Sequence, residues 1–384
     1  MGADEAVIRS IDKWLWPYLR SAVRRPSCDG PRHLIFCLAD HFEPFRGGVT
    51  PEEAWRRVQR WVAGYPTAVD GFEDADGRPM PHTFFYPAEE YDAGCIDALS
   101  VLQRSGLGEV EVHLHHRNDT AEHLAETLRS FAQLLNSRHG LLGCDAVGMP
   151  RYGFIHGNWA LGNSRPDGDW CGVADELSVL SETGCYADFT FPSAPSPTQP
   201  RMVNAIYRAR DTGRPRPADG GEEARSSERG TRGDGPGRET QDSAGPAGGS
   251  AGRGLMLITG PLALDWRRRK WGLLPRIENS EISDANPATA GRLRLWARQW
   301  IHVRGRPDWI FVKTHCHGCA SDSLVGGGLR NLAGMLKEQF GDGRRWLLHW
   351  VTAREMYNIV SAAEDGRTGD PGRYRDYEVV LRKN

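Results

Sequence analysis

The chain has 384 residues, 39% of them hydrophobic and 26% charged, with a formal net charge of −2. That is material for one large domain or two ordinary ones around a substantial core. The charge balance excludes a dedicated nucleic-acid binder, and no stretch reaches the roughly 20 apolar residues of an integral membrane segment.

Residues 1–30 begin acidic and turn amphipathic, which predicts an N-terminal helix without the basic start and apolar centre of a secretory signal. The eight Cys are scattered and suggest no disulfide framework, so reduced thiols and a cytoplasmic protein are expected. Apolar runs of strand length follow at 33–39, 82–86, 110–115, 152–156, 185–189, 255–259, 309–315 and 346–350. Helical patterns separate them at 51–65, 91–105, 120–139, 172–183, 200–210, 287–303 and 322–340, with Thr50 as N-cap of the first and Thr352 of a last one.

Repeated β-then-α units predict an α/β fold, a distorted parallel barrel of seven or eight strands in a single domain. Its first part would span 31–212 and its remainder, with a C-terminal tail, 254–384. Between them, 213–253 has no Val, Ile, Leu, Met, Phe, Trp, Tyr or Cys and is rich in Gly, Pro and Arg. Such a segment cannot bury enough apolar surface to offset its ordering entropy, and a disordered insertion is expected.

In parallel α/β folds, reactive groups collect where strands end, because the loops there can vary on a rigid frame. The first strand ends at Asp40-His41, followed by Glu43. The third ends in His115, His116 and Asp119, and alternation sets Glu109, Glu111, His113 and His115 on one face. The fourth ends at His156-Gly157-Asn158-Trp159, the fifth carries Asp188, and the seventh ends with Lys313, His315 and His317 two residues apart. If these strands surround one axis, Asp40, His41, His115, Asp119, His315 and His317 face a common cavity, and a divalent ion with nitrogen and oxygen ligands is the natural occupant. Cys316 and Cys319 form a C-x-x-C, which leaves half a zinc site or a redox pair open. Arg267 to Lys270, between Trp266 and Trp271, could touch an anion or be a solvated basic turn.

These strand ends resemble the polysaccharide deacetylase (NodB-homology) superfamily. Leu38-Ala39-Asp40-His41 stands where that family has T-F-D-D, and the run from Val110 to Asp119 resembles its H-x-x-x-H metal motif. Arg151-Tyr152-Gly153-Phe154 resembles its third motif, Asp188-Phe189 its fourth, the run from Val312 to His317 its fifth, and His82 to Pro87 its second strand. A His replaces the family's second Asp and an Asp its second metal-binding His, an exchange that keeps imidazole and carboxylate donors.

The resemblance implies a metal-dependent carbohydrate deacetylase-like hydrolase that removes N- or O-acetyl groups with a metal-activated water. Asp40 would be the base. His41, His115 and Asp119 would hold the ion, zinc first, with cobalt, manganese, nickel or iron as alternatives. His317, or else His315, would be the acid, oriented by Asp188, while Arg151, His156, Asn158, Trp159 and Lys313 would bind the sugar. Two alternatives stay open, a metal-dependent glycoside-cleaving enzyme using paired carboxylates and a non-catalytic sugar-binding protein of a polysaccharide-assembly system.

Overall fold

The computed structural model describes residues 10–23, 26, 28, 30–227 and 253–382. The first part runs α1 (Ile11–Val23), β1 (Arg32–His41), α2 (Pro51–Val69), β2 (His82–Pro87), α3 (Ala93–Arg104), β3 (Gly108–Leu114), α4 (Ala121–Ser137), β4 (Gly143–Cys144) and β5 (Pro150–His156). Next come α5 (Glu176–Glu182), β6 (Cys185–Asp188), β7 (Ile206–Ala209), β8 (Glu222–Glu223), β9 (Leu255–Ile258), β10 (Ala263–Lys270), β11 (Leu274–Glu278) and β12 (Glu281–Ile282). The chain ends with α6 (Ala290–Ala297), β13 (Trp309–Cys316), α7 (Leu329–Phe340), β14 (Trp346–Trp350), α8 (Ala353–Glu364) and β15 (Val380–Leu381).

The fold is mixed α/β around a large, mostly parallel sheet. Its strand order is β12-β13-β1-β2-β3-β5-β6-β9-β7-β8. β14 pairs with Arg32–Phe36 of β1, and β2 pairs further along, at Ala39–His41. The strands from β12 to β9 run parallel, whereas β7 pairs antiparallel with both β9 and β8. Hydrogen bonding does not close the sheet, since among the described residues no strand pairing joins β13 to β9 or β7.

Alternation along the strands divides the core in two. Leu34, Phe36 and Leu38 of β1, with Val110, Val112 and Leu114 of β3, face the outer helices. Ile35, Cys37 and Ala39 face inward, sharing one cluster with Phe311 of β13, Met256 of β9 and Ile206 of β7. Strands from both ends of the order thus contribute to a single inner core. That core holds α8, buried from Ala353 to Ala363, as a helix enclosed on all sides must be. Thr352 opens α8 with a capping box, its side chain accepting from the Glu355 amide while Glu355 accepts from the Thr352 amide.

Two expectations change. The helix expected at 200–210 is instead strand β7, in which Ile206 and Tyr207 enter opposite cores as a period of two requires. The insertion is ordered at its start: Arg216, in a left-handed conformation, donates to the carbonyls of Ser164, Pro197 and Gln199 and pairs with Asp219, and β8 follows. Residues 228–252 of that expected segment lie outside the described residues. The run from Arg267 to Lys270 sits on the two-stranded hairpin β10-β11, where Arg267, Arg269 and Lys270 are exposed, in line with a solvated basic segment, and half-buried Arg268 donates to Asn286. Among the described residues no helix is long and apolar enough to cross a membrane.

Inside the sheet, Glu111 accepts from the Tyr186 hydroxyl and the Gly153 amide, both at 2.6 Å. Burial pushes its carboxyl up to about 8 from 4.5, so the folded state keeps a proton that the unfolded chain releases. The sign follows: this group's contribution is fully present below about pH 4.5 and is lost as pH rises towards 8, at up to about 1.4 kcal/mol per unit. Glu111→Gln is therefore expected to gain on the native protein in urea midpoint between pH 5.5 and 8.5. Midpoints that move in parallel over this range would contradict the shift.

Candidate metal centre

The alternation that divides the core also sorts the predicted site residues. Ala39 of β1 points inward, so His41 does too and Asp40 must point outward. In β3, His113 lies on the inward face with Glu109 and Glu111. In β13, Phe311 points inward and Val312 and Cys316 outward, which brings Lys313 and His315 inside. His317 follows just beyond the strand end.

These side chains converge on Glu43, two residues past β1. Its Oε1 lies 3.3 Å from His113 Nε2, 3.6 Å from His115 Nε2 and 4.0 Å from His317 Nε2. The His41 ring completes the group, with centroids 4.9 Å from His113, 4.7 Å from His317 and 6.0 Å from His315. Arg46 holds the other oxygen, Oε2, at 2.6 Å. The Cβ of any residue other than glycine at position 157 would fall 2.2 Å from His115 Cδ2, so Gly157 at the end of β5 is what lets that ring lie inward.

The protons identify what this arrangement wants. His113 Nδ1 lies 2.9 Å from the Ile155 carbonyl, which can only accept, so Nδ1 carries the hydrogen. His115 Nδ1 lies 2.5 Å from Glu89 Oε1, with the same consequence. Both Nε2 atoms therefore face a carboxylate oxygen, a contact that needs a cation between them, either a second ring proton or a metal ion. Ligand atoms around a tetrahedral zinc, each about 2.0–2.1 Å from the ion, are separated by roughly 3.4 Å, close to the spacings here. Glu89 and the Ile155 carbonyl then act as the outer partners that orient metal-binding imidazoles.

Electrostatics agree. Burial tends to raise the Glu43 carboxyl, but its contacts with His113, His317 and Arg46 outweigh that and hold it down to about 2. Burial, with the neighbouring imidazoles, keeps His41 well below its ordinary value, and burial with Lys313 does so for His315. Burial and Arg46 lower His317 to about 4. These rings are neutral at pH 7, with lone pairs available. His115 is the exception: burial lowers it, but the Glu89 and Glu43 carboxylates outweigh that and raise it. The His115 and His317 side chains, 30% and 21% exposed, mark the open side of the centre.

Several expected roles are corrected. Asp40, fully buried, accepts from the Gly318 amide at 2.6 Å and pairs with His82 at 2.9 Å on the outer face. A Cβ at Gly318 would meet its Oδ2 at 2.3 Å. Asp40 thus fastens the loop after β13 from behind and does not reach the cavity as a base. Asp119 is not beside His115: its Oδ1 accepts from the Thr120 amide and His123, and its Oδ2 lies 3.2 Å from His116. Asp188 aligns with outward-facing Phe154 and Leu257, and its oxygens accept from the amide and hydroxyl of Thr190 rather than from either imidazole. Arg151 stands at the opposite end of β5, paired with Asp145. His156 points outward with Phe154 and is fully buried.

The structure brings His41, His115, His315, His317 and Trp159 together, the Trp159 ring lying 6.4 Å from that of His41. Asn158 follows on the same rim, its side-chain nitrogen buried without a hydrogen-bond partner. Lys313 is inside but below the centre, donating to the carbonyls of Phe189 and Phe191. Glu43 and His113 were missed as ligands, although the alternation of β3 already set His113 beside His115. Buried groups of His, Cys, Asp and Glu that could hold a metal ion are present, this one among them. No protein-family model and no curated protein matches the chain.

Proposed function

We propose that the protein is a metal-dependent hydrolase of the carbohydrate-deacetylase kind, built on a distorted barrel and working in the cytoplasm, where its eight unpaired cysteines stay reduced. The observation that carries this reading is the convergence of the His113, His115 and His317 Nε2 atoms on Glu43 Oε1. Glu43, His113 and His115 would hold the ion, with His41 behind them. The donor set of imidazoles and one carboxylate suits zinc first, then cobalt, manganese, nickel or iron. Bound there, the metal supplies Lewis acidity that polarises an acyl oxygen and acidifies water.

The chain's own groups do the rest. His317, neutral at pH 7 and on the open side, takes the proton of the attacking water and returns it to the departing amine or alcohol. Trp159, on the same rim, offers an apolar ring face to a sugar. Glycoside cleavage is less well supported, because, of its candidate carboxylates, Asp40 and Asp188 both face the helix layer, and Glu43 is the carboxylate proposed to hold the ion.

Acetylated oligosaccharides incubated with the zinc-loaded protein are expected to yield free acetate without chain shortening. Asp40→Asn should keep most of that activity, since its side chain only fastens the Gly318 loop. Chain cleavage, or loss of acetate release in Asp40→Asn with zinc still bound, would overturn the mechanism. Zinc binding without turnover on any acetylated sugar would turn the reading to a sugar-binding protein.

A further inference from the structure

Behind the catalytic rim, on the helix-covered face of β5, lies a second cluster that the proposed chemistry does not use. It comprises His116 just beyond β3, His156 at the end of β5, Cys171 in the loop before α5, and Glu176, the first residue of α5. All four are buried, His156, Cys171 and Glu176 completely. Each offers one ligand atom, and these atoms lie within 4.8 Å of one another. Glu176 Oε1 is 3.2 Å from His116 Nε2 and 3.8 Å from His156 Nε2, and Glu176 Oε2 is 3.3 Å from Cys171 Sγ.

We propose that these four residues form a second, structural zinc site. The carrying observation is His156 Nε2, fully buried, aimed at the cluster and without a hydrogen-bond partner. Whichever ring nitrogen bears the proton, Nε2 is left unsatisfied in the protein alone, an arrangement that costs free energy. A dication removes the deficit.

The charges also balance. One carboxylate, one thiolate and two neutral imidazoles exactly neutralise Zn²⁺, the condition for burying it without a residual charge. Loading releases the Cys171 proton to solvent. Asp119 Oδ2, 3.2 Å from His116 Nδ1, is the outer carboxylate that would hold that ring. Glu176 Oε2 is further fixed by the Gly162 amide at 2.6 Å. Against loading stands the Asn158 amide, 3.3 Å from His156 Nδ1, a long contact that gives way when the ring proton moves to Nδ1.

The contrast with the first centre is chemical. There, one carboxylate and several imidazoles leave a bound dication with net positive charge and an open side, which suits a Lewis acid. Here four protein donors close the shell, which suits a staple joining the ends of β3 and β5 to the loop before α5.

The test is cobalt substitution of the full chain with metal counting, which needs no turnover. Two equivalents are expected in the native protein, together with the near-ultraviolet charge-transfer band of a cobalt thiolate. Cys171→Ser should lose that band and one equivalent, and its thermal midpoint should no longer rise when metal is added in amounts that fill only the tight site. Glu43→Gln should lose one equivalent and keep the band. A single equivalent without the thiolate band in the native protein overturns this second site, whereas a single equivalent with the band overturns the first centre instead.

Discussion

If the proposed metal centre holds, replacing Glu43 by Gln is expected to weaken zinc binding there by at least about 100-fold and to abolish turnover at ordinary metal concentrations. Gln keeps the size and reach of the side chain, so the loop between β1 and α2 should hold its course. What changes is charge. The oxygen facing His113 and His115 at 3.3 and 3.6 Å ceases to be anionic, and the imidazoles lose the negative partner that draws a cation among them. Arg46 simultaneously loses its ion pair.

Glu89→Gln provides the graded control. Glu89 reaches the centre through His115 Nδ1, and loss of such an outer partner typically costs 10–100-fold in metal affinity. Zinc affinity, measured by competition with a chelator, should therefore rank native above Glu89→Gln above Glu43→Gln. Native affinity in Glu43→Gln would remove Glu43 from the ligand set, and with it the centre as described.

Why Glu43 was less visible in the sequence than His115 follows from where each sits. His113 and His315 belong to strands and His115 directly follows one, and a period of two fixes the face of the strand residues once the apolar neighbours are known. Glu43 belongs to a turn after β1, where no periodicity tells which way a side chain points. The same period, applied strictly, would have turned Asp40 outward, because Leu34, Phe36 and Leu38 mark the helix-covered face and Asp40 is next in that series. Family resemblance drew attention to Asp40 by its neighbourhood rather than its direction. His156 follows Tyr152 and Phe154 outward for an identical reason.

Eight strands, β1, β2, β3, β5, β6, β9, β13 and β14, were legible to within a residue or two because each is a compact apolar run flanked by polar turns. The hairpin β10-β11 was not, since half of its residues face solvent and carry charge. Nor was the ordered path of 213–227. Order there comes from Arg216 donating to three distant carbonyls, a tertiary effect that a composition free of large apolar residues conceals.

The largest effect on stability is expected at Arg354, in the first turn of the enclosed helix α8. Its guanidinium is 2% exposed and grips Glu109 through both oxygens, at 2.8 and 3.0 Å. It also donates to the Val379 carbonyl at 2.7 Å and to Asp376 at 2.6 Å, joining the inner face of β3 to the segment that leads into β15. Arg354→Met keeps much of the volume but leaves the Glu109 carboxylate buried without a counterion, while the Val379 carbonyl keeps the Asn358 side-chain amide as its donor. Breaking a buried pair from one side typically costs about 3–5 kcal/mol. The cost arises from the stranded charge more than from any net strength of the pair, so Arg354→Met combined with Glu109→Gln should be less damaging than the sum of the two single changes. Urea unfolding of the four proteins in this cycle measures the difference. Strict additivity, or a loss below about 1 kcal/mol in Arg354→Met, would mean that water or a rearranged neighbour already serves Glu109, and that α8 is held in the sheet by its apolar faces alone.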